Sequence, residues 1–141
     1  MKQHADWVKS RVQNVTNIAT KTYMAFVPRV AGALPAAPYV VIHSSDGIDS
    51  QERYTGPRVT QHPRFTLHIV GTSYDSVAAV TRNIKAQFIV NGFGVIPVIE
   101  GERCWGLWWD APVPTEVDND VSPPIVYNII ELGFTTEPAS A

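Results

Sequence analysis

The chain has 141 residues, of which 45% are hydrophobic and 17% charged, and its net charge is −2 at pH 7. These values fit one folded domain, residues 1–141, and exclude a disordered chain or a strongly basic nucleic-acid module. The single cysteine excludes an internal disulfide framework. No apolar stretch reaches the roughly 18 residues that a membrane span needs. With no apolar signal-peptide core among residues 1–11, we expect a soluble domain made in the cytoplasm.

The first half of the chain predicts one helix and three strands. Val8, Val12, Val15 and Ala19 recur at helical spacing, which predicts a helix from about His4 to Ala19. Strands are predicted at 20–27, 39–44 and 59–71, and the last of these alternates apolar with polar residues. Between the second and third strands, residues 45–57 form a polar loop that is long for a hairpin, and long loops are often functional.

The second half predicts a helix and three further strands. The helix runs from about Ser73 to Phe88, with Thr72 or Ser73 as its N-cap and Asn91-Gly92 as its stop signal. Strands follow at 93–99, 103–110 and 125–134, and we expect residues 135–141 to fray as a flexible tail. The order αβββαβββ predicts an α+β fold with a single, mostly antiparallel twisted sheet and two helices packed on one face.

The residues that usually carry chemistry do not form a recognisable site. His43 and His68 lie on predicted neighbouring strands, but a three-histidine metal site would also need His62, just before a proline. His43-Ser44-Ser45 lacks the second copy that two-histidine phosphoesterases use. Cys104 lies mid-strand, where a buried inert thiol is far commoner than a nucleophile. The loop acids Asp46, Asp49, Glu52, Asp118 and Asp120 lack the spacing of a calcium-binding loop. We therefore expect no enzyme activity, no metal and no cofactor.

The strand at 103–110 is unusually rich in tryptophan. Strict alternation places Trp105, Leu107 and Trp109 on one side and Trp108 on the other. A thin single-sheet domain cannot bury tryptophan on both faces unless something covers the second face. A neighbouring subunit against Trp108 is one explanation, and loops lying over that face are the other.

Four stretches follow one another in a recognisable arrangement. They are the N-terminal helix, first strand and connector ending in Pro38-Tyr39-Val40-Val41-Ile42-His43; the strand Arg64-Phe65-Thr66-Leu67-His68-Ile69-Val70; the helix that begins Ser73-Tyr74-Asp75-Ser76; and the loop Asp118-Asn119-Asp120-Val121-Ser122-Pro123-Pro124 before the last strand. This arrangement resembles the tail terminator (tail completion) proteins of long-tailed bacteriophages. The resemblance is one of pattern and covers nearly the whole chain.

The resemblance implies a small α+β structural protein of the virion. Such proteins assemble with themselves into a six-fold ring at the head-proximal end of the tail. The ring stops polymerisation of the tail tube protein, meets the head-tail connector or stopper protein, and lets genomic DNA pass without sequence recognition. The resemblance also implies that the protein is made in the host cytoplasm and has no membrane partner. A head-closure or neck ring protein is the alternative, and a small ligand-binding or enzymatic α+β domain is another.

Two loops and one strand face are the expected contact surfaces of such a ring. The long loop, with Asp46, Asp49, Glu52, Arg53 and Tyr54, is predicted to contact a neighbouring subunit or the tube, because its length needs a partner to order it. The loop at 110–124, with Asp118 and Asp120, is predicted to be a second contact, because its prolines reduce the entropy lost on docking. Trp108 is expected at a subunit boundary.

Overall fold

The computed structural model describes residues 2–29, 32, 35–45, 60–120 and 124–139. The helices are α1 (Lys2–Val12) and α2 (Tyr74–Phe88), and a short 3-10 turn spans Thr16–Ile18. The strands are β1 (Thr22–Met24), β2 (Tyr39–Ser45), β3 (Arg64–Gly71), β4 (Ile89–Val90), β5 (Phe93–Gly94), β6 (Glu102–Asp110), β7 (Glu116–Asp118) and β8 (Ile125–Pro138). Among these described residues, neither helix is long and apolar enough to cross a bilayer.

The main sheet has the strand order β1-β2-β3-β8-β6, and β7 pairs with β8 as well. Among the strands of the described ranges, only β1 and β2 run parallel, and the other pairs are antiparallel. Strand β8 is central, because β3 lies on one side of it and both β6 and β7 lie on the other. The predicted α+β fold, with a mostly antiparallel sheet and helices packed against it, is confirmed.

Both helices cover the same face of the sheet. The N-cap of α2 is Ser73, whose hydroxyl accepts a hydrogen bond from the Ser76 amide at 3.2 Å. The core combines apolar residues of both helices with alternate residues of the strands; its largest fully buried side chains are Phe65, Phe88, Phe134, Ile18, Ile42, Leu67, Ile69, Ile84, Ile130 and Leu132. The opposite side of the sheet, called the open face below, carries the other alternate residues.

The first helix is shorter than predicted. It ends at Val12, and the chain continues through a turn into the 3-10 segment, so the single helix expected to Ala19 is wrong beyond Val12. Asn14 and Asn17 explain the early end, since such short polar side chains compete with the backbone hydrogen bonds of a helix. The apolar spacing still serves the core, because Val15 and Ile18 are both buried.

The strand predicted at 93–99 is also wrong for most of its length. Asn91 and Gly92, both at positive φ, form a tight turn that pairs β4 with β5. Residues 95–99 have no strand structure, since Pro97 has no amide hydrogen to donate to a ladder. Strand β7 was not predicted.

The last strand is longer than predicted. The expectation that the chain frays from Thr135 is wrong for residues 135–138, which belong to β8. The reason is that β6 pairs with this end of β8, from Glu102 opposite Pro138 to Asp110 opposite Glu131. Thr136 is fully buried as a result.

Candidate functional site

A bulge in β6 decides which tryptophans share a face. Trp105 lies opposite Thr135, whereas Trp108 lies opposite Gly133, so β6 has one residue more than β8 in this interval. Gly106 accommodates the bulge with a φ of 69°. An extra residue reverses the alternation, and Trp105 and Trp108 therefore both lie on the open face. The prediction that Trp105 shares a side with Leu107 and Trp109 is wrong for this reason.

The core side of β6 keeps the other two large residues. Leu107 is buried in the main core, and Trp109 packs against Phe88 of α2 with ring centroids 5.9 Å apart. On the open face, Trp105 and Trp108 remain 38% and 37% exposed. Partly exposed tryptophans of this kind are typical of protein–protein contact sites.

Each open-face tryptophan carries an arginine over its ring. The guanidinium carbon of Arg64 lies 5.5 Å from the ring centroid of Trp108, and that of Arg103 lies 5.4 Å from the ring centroid of Trp105. Arg103 also forms an ion pair with Glu137 of β8. Cation–π contacts at such exposed sites contribute about 0.5–1 kcal/mol each. The tryptophan end of the open face therefore combines exposed apolar ring surface with the positive charge of two arginines.

The two central histidines of the open face touch each other. The predicted neighbouring strands do pair, and the rings of His43 and His68 meet edge to face with centroids 5.1 Å apart. Burial lowers the pKa of His68, and the neighbouring His43 lowers it further. His62 lies elsewhere, with its Nδ1 3.1 Å from Oγ1 of Thr135. Within the described ranges, no three metal-ligating side chains come together.

The far end of the open face is covered by the chain itself. Tyr39, Val41 and Val70 are buried there, and residues of β1, the connector and the start of β8 pack against them, namely Tyr23, Val27, Ala37, Ile125 and Tyr127. Burial raises the pKa of Tyr39, and the charge of Arg29 opposes this rise. Residues of the connector and of the neighbouring strands thus cover one end of the open face, and the tryptophan end stays partly exposed.

The acidic loop residues lie at the other end of β8 from Trp108. Asp118 pairs with Ile125, and its Oδ1 accepts a hydrogen bond from the exposed Asp120 amide at 2.9 Å. Trp108 pairs with Gly133, so eight residues of β8, roughly 27 Å at about 3.4 Å per residue, separate the two positions. The structure therefore does not bring Trp108 and these acids together. The predicted contact residues Asp46, Asp49, Glu52, Arg53 and Tyr54 lie outside the described residues.

A tyrosine–carboxylate contact joins β7 to β8. The hydroxyl of Tyr127 donates a hydrogen bond to Oε2 of Glu116 at 2.6 Å. This bond raises the pKa of Tyr127, since the carboxylate favours the protonated phenol. Glu116 and Asp118 therefore lie on the open face together with Tyr127.

A polar cluster that the sequence did not predict ties α1 to the end of the sheet. Nε2 of the buried His4 lies 2.8 Å from Oε2 of Glu102, and the Thr136 hydroxyl donates to the other carboxylate oxygen at 3.1 Å. The Cys104 thiol lies 3.4 Å from the Thr136 hydroxyl, and burial raises the pKa of that thiol. A thiol with a raised pKa is a poor nucleophile, as expected for an inert cysteine.

An exposed apolar segment adjoins this cluster. Phe93 is 77% exposed and Val98 82%, and Val90 and Ile96 are exposed as well. Ile96 and Val98 line a groove of about 610 Å³ together with Glu102, Arg103 and the end of β8. The sequence analysis missed this exposed surface, because it predicted a strand at 93–99, and a strand of the sheet would have buried alternate residues.

Comparison with known proteins gives a shared fold. No protein-family model matches the chain, and no curated protein matches it either. A solved chain from the virion of a native gene transfer agent (GTA) particle is similar, with a TM-score of 0.55 and 15% identity, over 93% of this chain and 90% of that chain. A second solved protein, which carries only a sequence identifier as its name, has a TM-score of 0.54 and 15% identity over 99% of this chain and 92% of its own. At such low identity the likeness shows the fold alone.

Proposed function

We propose that this chain is a structural protein of a phage-like virion that ends the tail tube. One observation carries the proposal: its fold is shared, over 93% of its length, with a chain of a gene transfer agent virion. The coverage is nearly complete on both sides, so the likeness concerns the whole domain and not a common supersecondary motif.

In the proposed role, copies of the chain form a six-fold ring at the head-proximal end of the tail. The ring stops addition of the tail tube protein and offers its other side to the head-tail connector. The half-exposed Trp105 and Trp108 support a role in protein contacts. The net charge of −2 supports DNA passage through the lumen, because a basic lumen would retain the DNA electrostatically.

Tail length in particles made without this gene tests the proposal. Negative-stain microscopy is expected to show overlong tails without heads, because nothing stops the growing tube. A wild-type copy supplied from a plasmid should restore tails of normal length. Tails of normal length that fail to join filled heads would instead assign the chain to the neck, as a head-closure ring. Normal infectious particles would overturn a structural role altogether.

A further inference from the structure

The charges of the chain are segregated along the sequence. Residues 7–45 contain four basic side chains and no acid; they are Lys9, Arg11, Lys21 and Arg29. Residues 104–141 contain six acids and no lysine or arginine; they are Asp110, Glu116, Asp118, Asp120, Glu131 and Glu137. The small net charge of the whole chain conceals this separation.

The topology carries the two charged segments to opposite edges of the sheet. Strand β1 forms one edge, while β6 and β7 together form the other, with β2, β3 and β8 between them. We call Lys21, Phe26 and Arg29, which flank β1, the basic edge. We call Asp110, Glu116 and Asp118, which lie on β6 and β7, the acidic edge.

The basic edge presents an apolar side chain between its two charges. After β1, the Ala25 amide donates to the Ile42 carbonyl at 2.8 Å, and the backbone of Ala25 then turns at a φ of 67°. This turn leaves Phe26 73% exposed, although it is a large apolar residue. Arg29 is exposed further along the chain, and its charge opposes the rise in the pKa of Tyr39, an open-face residue of the adjacent strand β2.

The acidic edge presents its carboxylates on the same face. Asp110 lies opposite Glu131, Glu116 opposite Tyr127 and Asp118 opposite Ile125, and paired residues lie on one side of a sheet. Two apolar residues of this edge, Val113 and Val117, are partly exposed. Lys85 approaches from α2, where it borders a groove beside residues 111–115. Along β6, β7 and their linker, every charged residue after Arg103 is acidic.

We infer that the basic edge of one copy docks on the acidic edge of the next copy, head to tail. Opposite charges then meet, with Phe26 against the exposed Val113, whereas a two-fold contact through either edge alone would oppose like charges. Contacts between two different patches close into rings when the rotation between copies allows it. The inference deepens the proposed function and rests on it, since it supplies the contact between subunits of the proposed ring.

Paired charge reversals test this contact. One variant carries Lys21→Glu and Arg29→Glu, and the other carries Asp110→Lys and Glu116→Lys. Self-association is measured by sedimentation velocity from about 1 μM to about 1 mM, at low and high salt. The controls are Arg82→Glu on α2 and Glu100→Lys before β6, which reverse exposed charges outside both edges. Circular dichroism and urea unfolding check the fold, and Arg29→Gln and Asp110→Asn replace a variant that does not fold.

Each reversed variant is expected to associate about tenfold more weakly than the wild type, and the controls are expected to leave association unchanged. An equimolar mixture of the two reversed variants should restore association to about the wild-type level. In the mixture, each negative edge of one variant can meet a positive edge of the other variant. A ring in which the two variants alternate therefore has opposite charges at every contact, and a six-fold ring permits this arrangement because six is even.

Three results overturn the inference. They are a wild type that stays monomeric at every concentration, association that ignores both reversals, and a mixture of folded variants that does not recover. The proposed function is tested separately, by tail length in particles made without the gene. A chain that ends tails but does not associate through these edges would keep the proposed function and lose only this inference.

Discussion

Trp108 lies directly over Gly133: a Cβ at Gly133 would lie 2.8 Å from Cζ2 of the indole and 2.9 Å from the Pro63 carbonyl oxygen. Gly133 is therefore the residue of β8 that lets the indole approach the backbone of the sheet so closely. Arg64 pairs with Gly133 on the neighbouring strand, and its guanidinium lies over the same ring. The exposed part of the open face depends on this small residue.

Gly133→Ala should destabilise the fold and tilt Trp108 away from the sheet. Overpacking at a site with no free space costs about 1–3 kcal/mol, and the Pro63 carbonyl cannot move as easily as a side chain. Urea unfolding measures the loss, and indole fluorescence reports the changed environment. Combining Gly133→Ala with Trp108→Ala should recover part of the loss, because only the Pro63 contact remains. A single variant as stable as the wild type would contradict the packing described.

Trp108→Ala should weaken assembly more than folding. The side chain is 37% exposed and lies on the face away from the helices, so its removal leaves the main core intact. At an assembly contact its loss should cost binding about 2 kcal/mol, as at other tryptophan hot spots. Trp109→Ala is the matched control, because Trp109 packs on Phe88 and its loss should mainly lower stability. Unchanged monomer stability together with unchanged ring assembly would rule out the assignment of Trp108.

The elements that the sequence predicts best are those with a strong periodic pattern. Helix α2 and strand β3 follow from their apolar spacing, and strand β2 follows from its run of apolar, β-branched residues. Trp105 could not be assigned correctly, because a bulge at one glycine, Gly106, reverses the alternation without changing the composition. The contact of His4 with Glu102 joins residues 98 positions apart, and no local pattern reveals it. Nor does composition reveal that the basic and acidic segments reach opposite edges, because strand order decides it.

Glu102 and its neighbour Arg103 should differ sharply in their effect on stability. Glu102→Ala leaves the buried His4 Nε2 and the Thr136 hydroxyl without their partner, and an unsatisfied buried polar group costs about 1–3 kcal/mol. Arg103→Ala removes an ion pair whose arginine side chain is 71% exposed, and such pairs contribute at most about 1 kcal/mol. Urea unfolding of both variants at one pH measures the difference. Equal losses would mean that the His4–Glu102 contact contributes little.

The His43–His68 contact should make stability fall on acidification. Because burial and His43 lower the pKa of His68 in the folded protein, the unfolded chain takes up this proton first as the pH falls through the ordinary value of 6.5. The free energy of unfolding should therefore be unaffected by this group above pH 6.5 and decrease below it. Urea unfolding between about pH 7.5 and pH 5 measures the slope of this free energy against pH, to which other groups also contribute.

His68→Gln should flatten this slope. His43→Gln should flatten it less, because burial lowers the pKa of His68 more than the neighbouring His43 does. His62→Gln is the control away from the pair. An unchanged slope in His68→Gln would mean that His68 titrates alike in the folded and unfolded chain.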